Sequence, residues 1–547
     1  MAVVYVNNQP VEIGSDKLNA IQAAQRAGIF VPHYCWHPAL TVVASCRMCL
    51  VEFGEMKDGK PLMQPRVVPA CQTPVKDGSV IVTDSPKAKA AQAGTLESLL
   101  LNHPLDCPVC DKAGECKLQD FSYEYGKATS RMIDPKNTPP NKPEISSTIT
   151  LFTDRCIMCT RCVRFTREIS GTAELQVTSR GDHAEIDVFP GEPLENKLAG
   201  NVVDLCPVGA LGSKDFLYKQ RVWFMKQTDS VCAACSTGCS IQVDSNKDVI
   251  YRLRPRENPQ SQGYFMCDEG RYGYHYVNST ERFRGPLVRD GDKTAPATYK
   301  EAVATIRHRF ADLAGRTPSA IAAVLSPYLT CEEAYLLAKF MKGLSPDTVL
   351  ALGPIPIVGE DDRYPKDRKG NPVEPAKFTI CAEKCPNRRG VEEILKHFQG
   401  RVMPFDEIVN QAGAGTLKAM WFAAGYPPTC GDWLRPDAKS ALKKADTLVV
   451  QDLFPAPIAG EAHCCLPATS FAEKDGTFVN YAGLAQAIHR AARPRVEMRG
   501  EGQVYCDLLD RRGLYVAADV RREMAMDVPY FAAMASGIGE LGIRLSG

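Results

Sequence analysis

The sequence predicts a multidomain protein that changes class along its length, α+β in its first half and α/β in its second. Three observations predict this. Of 22 cysteines, 15 lie between Cys35 and Cys267, mostly in C-x-x-C groups that small loop-rich domains carry. A Pro-rich polar stretch, DPKNTPPNKPEISS (134–147), reads as a linker between such groups. Beyond Cys267 cysteine thins out, and Ala/Leu helices alternate with short apolar runs: AIAAVLS (320–326), KAMWFAAG (418–425) and DTLVVQD (446–452). That alternation predicts a largely parallel sheet. A chain of 547 residues is also too long for a single core.

Taken in order, VVYVNNQPVEI reads as two short strands turning at Asn7-Asn8. A helix should follow, capped by Ser15 or Asp16, with Leu18, Ile21 and Ala24 on one face and Gly28 at its end. A second helical run, AKAAQAGTLESLLLNH (88–103), leads into a cysteine motif. The expected domains are 1–82, 83–140, 141–221, 222–278 and 279–547. GEDDRYPKDRKGNPVEPAK (359–377) and RPRVEMRGEGQ (493–503) read as solvated connections. No internal repeat of solenoid period is present.

Composition excludes several roles. Net charge is +1, so no global field recruits nucleic acid or anionic lipid. The opening MAVVYVNNQPVEIGSDK has neither a basic n-region nor a long apolar h-region, so no secretory signal is expected. No stretch approaches the ~18 uninterrupted apolar residues of a membrane helix. Membrane association is therefore expected only through partners. Without an export signal, clustered cysteines read as thiolates kept reduced for metal rather than as disulfides.

Four constellations can be drawn. The first is Cys35-x10-Cys46-x2-Cys49-x21-Cys71. Four thiolates on loops of a β-rich domain suit a [2Fe–2S] cluster, with a four-cysteine zinc site as the alternative. The second is His103-x3-Cys107-x2-Cys110-x5-Cys116, where three cysteines and no spare thiol nearby make His103 the expected fourth ligand of a [4Fe–4S] cluster. A histidine before proline is otherwise a cap or surface residue. The third is Cys156-x2-Cys159-x2-Cys162 with a remote Cys206-Pro207, a ligand set for one [4Fe–4S]. The fourth is Cys232-x2-Cys235-x3-Cys239-x27-Cys267, again a [4Fe–4S] set, either conducting or purely structural. Cys331, Cys381, Cys385, Cys430, Cys464, Cys465 and Cys506 form no set and read as inert thiols.

Several clusters in series suit a conductor of single electrons. A neutral imidazole in place of a thiolate should raise the potential of the second site. No catalytic residue is predicted. There is no complete G-x-G-x-x-G and no G-x4-G-K-[ST]; AGAGTLKAM (412–420) offers only Gly413 and Gly415. Electrons must then enter and leave through other subunits.

HYCWHPAL…SCRMCLVE, NHPLDCPVCDKAGECKLQD, DRCIMCTRCVRF and NVVDLCPVGALGSKDF together resemble the large iron–sulfur subunit of respiratory complex I, the proton-translocating NADH:quinone oxidoreductase. The resemblance runs from residue 1 to about 290. It implies a β-grasp, ferredoxin-like N-terminal domain, one [2Fe–2S] and two [4Fe–4S] clusters relaying electrons from the flavin subunit towards the quinone-reducing module, and a fourth cluster off the main path. It also implies a position on the inner face of the bacterial cytoplasmic membrane, held by flavin/NADH-binding and quinone-module partners. From about 222 the chain is similar to molybdopterin oxidoreductases. EKDGTFVNYAGLAQ (473–486) follows that family's E-x-x-G-T-F-x-N-x-E-G-R-x-Q element but has Ala482 and Leu484 where glutamate and arginine are expected. EAHCCLPA likewise replaces a more usual ADVVLPA. The C-terminal domain is therefore expected to be a truncated relative that binds no molybdopterin. The competing readings are a molybdenum-dependent formate dehydrogenase, the relay subunit of an NAD-linked hydrogenase or formate dehydrogenase, and a C-terminal domain serving purely as scaffold.

Overall fold

The computed structural model describes residues 2–291, 293–430, 434–455, 458–494 and 498–546. Two compact units divide the chain. The first is Met1–Phe224 with Tyr364–Glu374, and the second is Met225–Arg363 with Pro375–Gly547.

The first unit opens with the expected hairpin, Val3–Val6 against Gln9–Glu12. Asn7 and Asn8 take φ of 45° and 68°, the left-handed pair that a two-residue turn between twisted strands requires. Val3–Val6 then pairs in parallel with Ser79–Val82, and Leu50–Lys57 pairs antiparallel with that strand on its other side. The helix Ala20–Arg26 lays Ala20, Ile21, Ala23 and Ala24 into the core beneath this sheet. Its cap is Asn19 rather than Ser15 or Asp16. Gln22, three residues on, returns a bond to the Asn19 backbone and completes a capping box, which Ser15 and Asp16 lie too far upstream to form.

Further along this unit, Ser85 caps the helix Pro86–Leu100, and Lys117–Tyr125 forms a shorter helix after the second motif. The antiparallel strands Ile149–Leu151 and Leu211–Ser213 frame the helices Arg161–Glu168 and Asn201–Leu205. The predicted solvated connection 359–377 divides. Its part Tyr364–Glu374 belongs to the first unit, where Lys366 N donates to Ile169 O at 3.0 Å. The Asp367 carbonyl there comes so close to Gly171 that a Cβ would sit 2.4 Å from it, and Gly171 also has φ of +76°. Only glycine fits that position.

In the second unit, a three-stranded antiparallel sheet (Lys226–Val231, Ser240–Asn246, Val249–Pro255) precedes the α/β part. There the strands Val349–Leu352, Ile321–Leu325, Ala419–Ala423, Thr447–Asp452 and Cys464–Pro467 run parallel in that spatial order, with the hairpin Leu287–Asp290/Lys293–Pro296 on the far edge. Both faces are covered. Ile321, Ala323 and Leu325 enter one core while Ala322 and Val324 enter the other, as the two-residue period of a strand dictates. The α/β prediction thus holds. The predicted connection 493–503 does not hold throughout: Glu501–Leu508 is a helix and Glu501 is buried, because its carboxylate receives Thr469 N and Lys474 Nζ. Residues 495–497 lie outside the described residues.

Lys474 pairs with Glu333 at 2.8 Å and Glu501 at 3.2 Å, all three buried. Two carboxylates share one ammonium. Burial, with Glu501 adding to it, pushes the Glu333 carboxyl up to about 7 against the pull of Lys474. A raised folded-state pKa contributes stability that is complete below the unfolded value and is lost as pH rises through the folded one. The melting temperature of the second unit should therefore fall between pH ~5 and ~8, with this group accounting for about 1–3 kcal/mol. Glu333→Gln keeps the capping box with Thr330 and should flatten that dependence in differential scanning calorimetry; an unchanged slope would contradict the assignment.

Candidate metal centres

The cysteines of each constellation lie near one another, three sets in the first unit and one in the second, and most are buried while Cys46, Cys107 and Cys156 are partly exposed. All 22 cysteines are free of disulfides.

At the first site Cys35, Cys49 and Cys71 are each 1% exposed, and Cys46 is partly covered. The four thiols hydrogen-bond among themselves. Bonds from Cys46 and Cys71 pull the Cys35 thiol down, a bond from Cys71 pulls Cys49 down, and Cys46 and Cys71 are pushed up in turn, each chiefly by its bond to Cys35. Cys35 N donates to Cys46 Sγ at 3.4 Å. Ala44 and Arg47 take φ of 50° and 60°, which folds the loop tightly around the sulfurs.

At the second site Cys110 and Cys116 are buried, and burial raises both thiols. His103 Nδ1 is buried and accepts no hydrogen bond among the described residues, and burial lowers the imidazole below its ordinary value. His103 and Cys110 flank the same ion pair, Arg155–Asp106, in which Arg155 Nε lies 3.0 Å from Asp106 Oδ2. A Cβ on Gly209 would sit 2.2 Å from Cys110 Sγ, so that glycine leaves room for the sulfur.

At the third site Cys156, Cys159 and Cys162 lead into the helix Arg161–Glu168, and Cys206 ends the helix Asn201–Leu205. The four line one pocket together with apolar side chains including Leu151, Ile157, Ile186 and Val208. Met158 and Thr160 take φ of 51° and 58°, turning the chain so that Met158 N donates to Cys156 Sγ at 3.4 Å. Burial pushes Cys156 up to about 12 and Cys159 to about 11.

At the fourth site Cys232, Cys235 and Cys239 fill the turn between Lys226–Val231 and Ser240–Asn246. Cys267 caps a short helix and accepts from Gly270 N at 3.4 Å. A Cβ on Gly270 would meet Cys232 Sγ at 2.8 Å. Burial pushes Cys232 up to about 12.

These donor sets fit iron–sulfur clusters. Buried thiols held above their ordinary range lack a counter-charge that a bound metal supplies, and the N–H groups aimed at sulfur are the bonds that tune such clusters. A buried, neutral imidazole with a free lone pair is the form a histidine ligand takes. Among the described residues no group of three or more His, Cys, Asp or Glu side chains is placed to hold a single metal ion.

Sequence reasoning missed how closely the first three sites are joined. Arg161 and Arg164 in DRCIMCTRCVRF are each only 5% exposed. Arg164 donates to the carbonyls of Cys35, Thr41 (2.5 Å) and Cys159 (3.3 Å). Arg161 donates to Trp36 O and Leu205 O (3.3 Å). One helix face thus clamps the loops of the first and third sites. Lys117 N donates to Pro207 O at 3.1 Å, joining the second and third, while Tyr34 packs on Phe121 with ring centroids 5.2 Å apart. The only available signal was two arginines three apart, one on each side of the ligand cysteine Cys162. Of the cysteines outside the sets, Cys381 stands beside the fourth site, with Thr237 Oγ1 at 3.3 Å from both Cys235 Sγ and Cys381 Sγ. Cys464 and Cys465 point into opposite cores of the sheet.

Each site falls within a different family model. Residues 3–86 match a 2Fe-2S iron-sulfur cluster binding domain, and 92–131 match the NADH-ubiquinone oxidoreductase-G iron-sulfur binding region. Residues 146–212 match the ferredoxin-like domain of NADH-quinone oxidoreductase subunit 3, and 225–279 the molybdopterin oxidoreductase Fe4S4 domain. A molybdopterin oxidoreductase model matches 396–511. The chain is therefore a series of iron–sulfur domains joined to a molybdopterin-oxidoreductase-like domain.

Its homologues are subunits of NADH-quinone oxidoreductase. One such subunit, from Rickettsia felis, is 35% identical over 347 residues, covering 63% of this chain and 49% of that protein. The mitochondrial 78 kDa subunit of NADH-ubiquinone oxidoreductase from Neurospora crassa is 39% identical over 295 residues, covering 54% of this chain and 38% of that protein. The chain thus spans about half or less of the length of these curated relatives. Among solved structures, an NAD+-reducing [NiFe]-hydrogenase chain matches at 26% identity over 40% of this chain and 91% of that one, with a TM-score of 0.35, too low to bear on the fold.

Gly209→Ala should displace Cys110 Sγ and remove one site's complement of iron from reconstituted protein. Gly94→Ala, whose added methyl meets nothing within 4 Å, should leave iron content unchanged. Equal iron in both variants, read by elemental analysis, would contradict the crowding at Cys110.

Proposed function

We propose that this chain is an iron–sulfur electron-relay subunit of an NADH:quinone oxidoreductase, carrying single electrons from a flavin/NADH-binding partner towards a quinone-reducing module. The observation that carries this reading is the joining of three thiol sites within one unit by shared hydrogen bonds, in a chain whose homologues are subunits of that complex. Cys35, Cys46, Cys49 and Cys71 would hold a [2Fe–2S] cluster. His103, Cys107, Cys110 and Cys116 would hold a [4Fe–4S], as would Cys156, Cys159, Cys162 and Cys206, and Cys232, Cys235, Cys239 and Cys267. Bound clusters supply one-electron redox chemistry with little nuclear rearrangement.

The protein's own part is to hold and insulate. Apolar walls such as Leu151, Ile186 and Val208 exclude water from the third site. Backbone N–H groups aimed at Cys46, Cys156 and Cys267 stabilise added negative charge on sulfur. At the second site a neutral imidazole removes one ligand charge and so favours the reduced form. Among the described residues no helix is long and apolar enough to cross a membrane, which fits attachment through partner subunits.

The molybdopterin oxidoreductase match favours a second reading, a molybdenum enzyme. Elemental analysis of the purified full chain separates the two: the relay reading expects about 14 iron atoms per chain and no molybdenum. Stoichiometric molybdenum would overturn it. His103→Cys should retain iron and lower the midpoint potential of the second site in an EPR-monitored titration; an unchanged potential with iron retained would remove His103 from the ligand set.

A further inference from the structure

We propose that Arg161 and Arg164 are positioning residues that raise the reduction potentials of the first and third clusters together, an inference that rests on the relay reading above. Both guanidiniums are buried, and among the described residues neither lies within salt-bridge distance of a carboxylate. Every hydrogen bond from their terminal nitrogens goes to a main-chain carbonyl of the cysteine loops or of the residues beside them: Cys35, Trp36, Thr41, Cys159 and Leu205. Glu168, one turn beyond Arg164, accepts from Thr41 N at 2.8 Å and from Thr41 Oγ1 rather than from the arginine.

The other two sites are built differently. Beside the second, Arg155 is neutralised by Asp106. Beside the fourth, Lys384 is neutralised by Glu269 at 2.6 Å. A paired cation contributes little field beyond its own pair. An unpaired one in a low-dielectric interior acts on every charge within several ångströms. Burying two such cations side by side is costly unless negative charge lies close by. The thiolate clusters on both sides supply that charge, and reduction of either cluster adds one more negative charge that the arginines stabilise. The same guanidiniums touch both loops, so one pair of residues biases two potentials in the same direction.

The test is an EPR-monitored redox titration of the full chain, wild type against variant. Arg161→Gln and Arg164→Gln are each expected to make the first and third sites harder to reduce by roughly tenfold in the one-electron equilibrium, about 59 mV. Arg161→Lys and Arg164→Lys keep the charge while losing the fork of hydrogen bonds, and should stay near the wild-type values. If the glutamine variants retain iron but keep their potentials, or if the lysine variants shift as far as the glutamine ones, the inference fails. Where one glutamine variant loses its iron, the glutamine and lysine variants of the other arginine decide by the same criterion. Wild-type protein that lacks iron or the two signals would instead defeat the relay reading itself.

Discussion

A guanidinium buried without a carboxylate costs several kcal/mol unless its surroundings carry negative charge, and the first unit is arranged around two of them. Arg164 holds carbonyls from the Cys35 loop and the Cys159 loop at once. Arg161 does the same for Trp36 and Leu205. The helix Arg161–Glu168 exists to present both residues on one face, and its start is fixed by Thr160 in a left-handed conformation immediately after Cys159. The clamp therefore determines how the first and third sites meet, and the Lys117–Pro207 bond adds the second.

The loops that carry the sulfurs share a construction. Residues with positive φ sit one or two positions from ligand cysteines at Ala44, Arg47, Met158 and Thr160. That conformation is unfavourable for residues with a Cβ, and it persists where surrounding contacts over-determine it. Here it turns N–H groups towards sulfur. Gly209 and Gly270 serve the same end from the opposite side, since a methyl at either place would collide with a cysteine sulfur. Each glycine lies three residues after a ligand cysteine remote in sequence, Cys206 or Cys267.

Much of this was legible in the sequence, because spacing constrains chemistry. Two to three residues between some of the cysteines leave few ways to arrange the sulfurs, and the thiols of each set lie near one another. The alternation of Ala/Leu helices with AIAAVLS, KAMWFAAG and DTLVVQD likewise gave the parallel sheet its strands. What stayed hidden depends on contacts between distant segments. Arg161 and Arg164 take their part only once Cys35 and Trp36, more than 120 residues earlier, are brought against them. Glu501 and the stretch Tyr364–Glu374 look like loop until Lys474 and Ile169 give them partners. Asn19, not Ser15 or Asp16, is the cap because only Asn19 has a glutamine three residues on.

The central claim is that the first three sites form one electronically connected series held by the arginine clamp. The most direct measurement is the magnetic interaction between reduced clusters in the full chain, followed by low-temperature EPR as the sites are reduced stepwise. The account predicts that reducing the third site splits or broadens the signal of the first and speeds its spin relaxation. A signal from the first site that keeps its line shape and relaxation whatever the state of the third would contradict it.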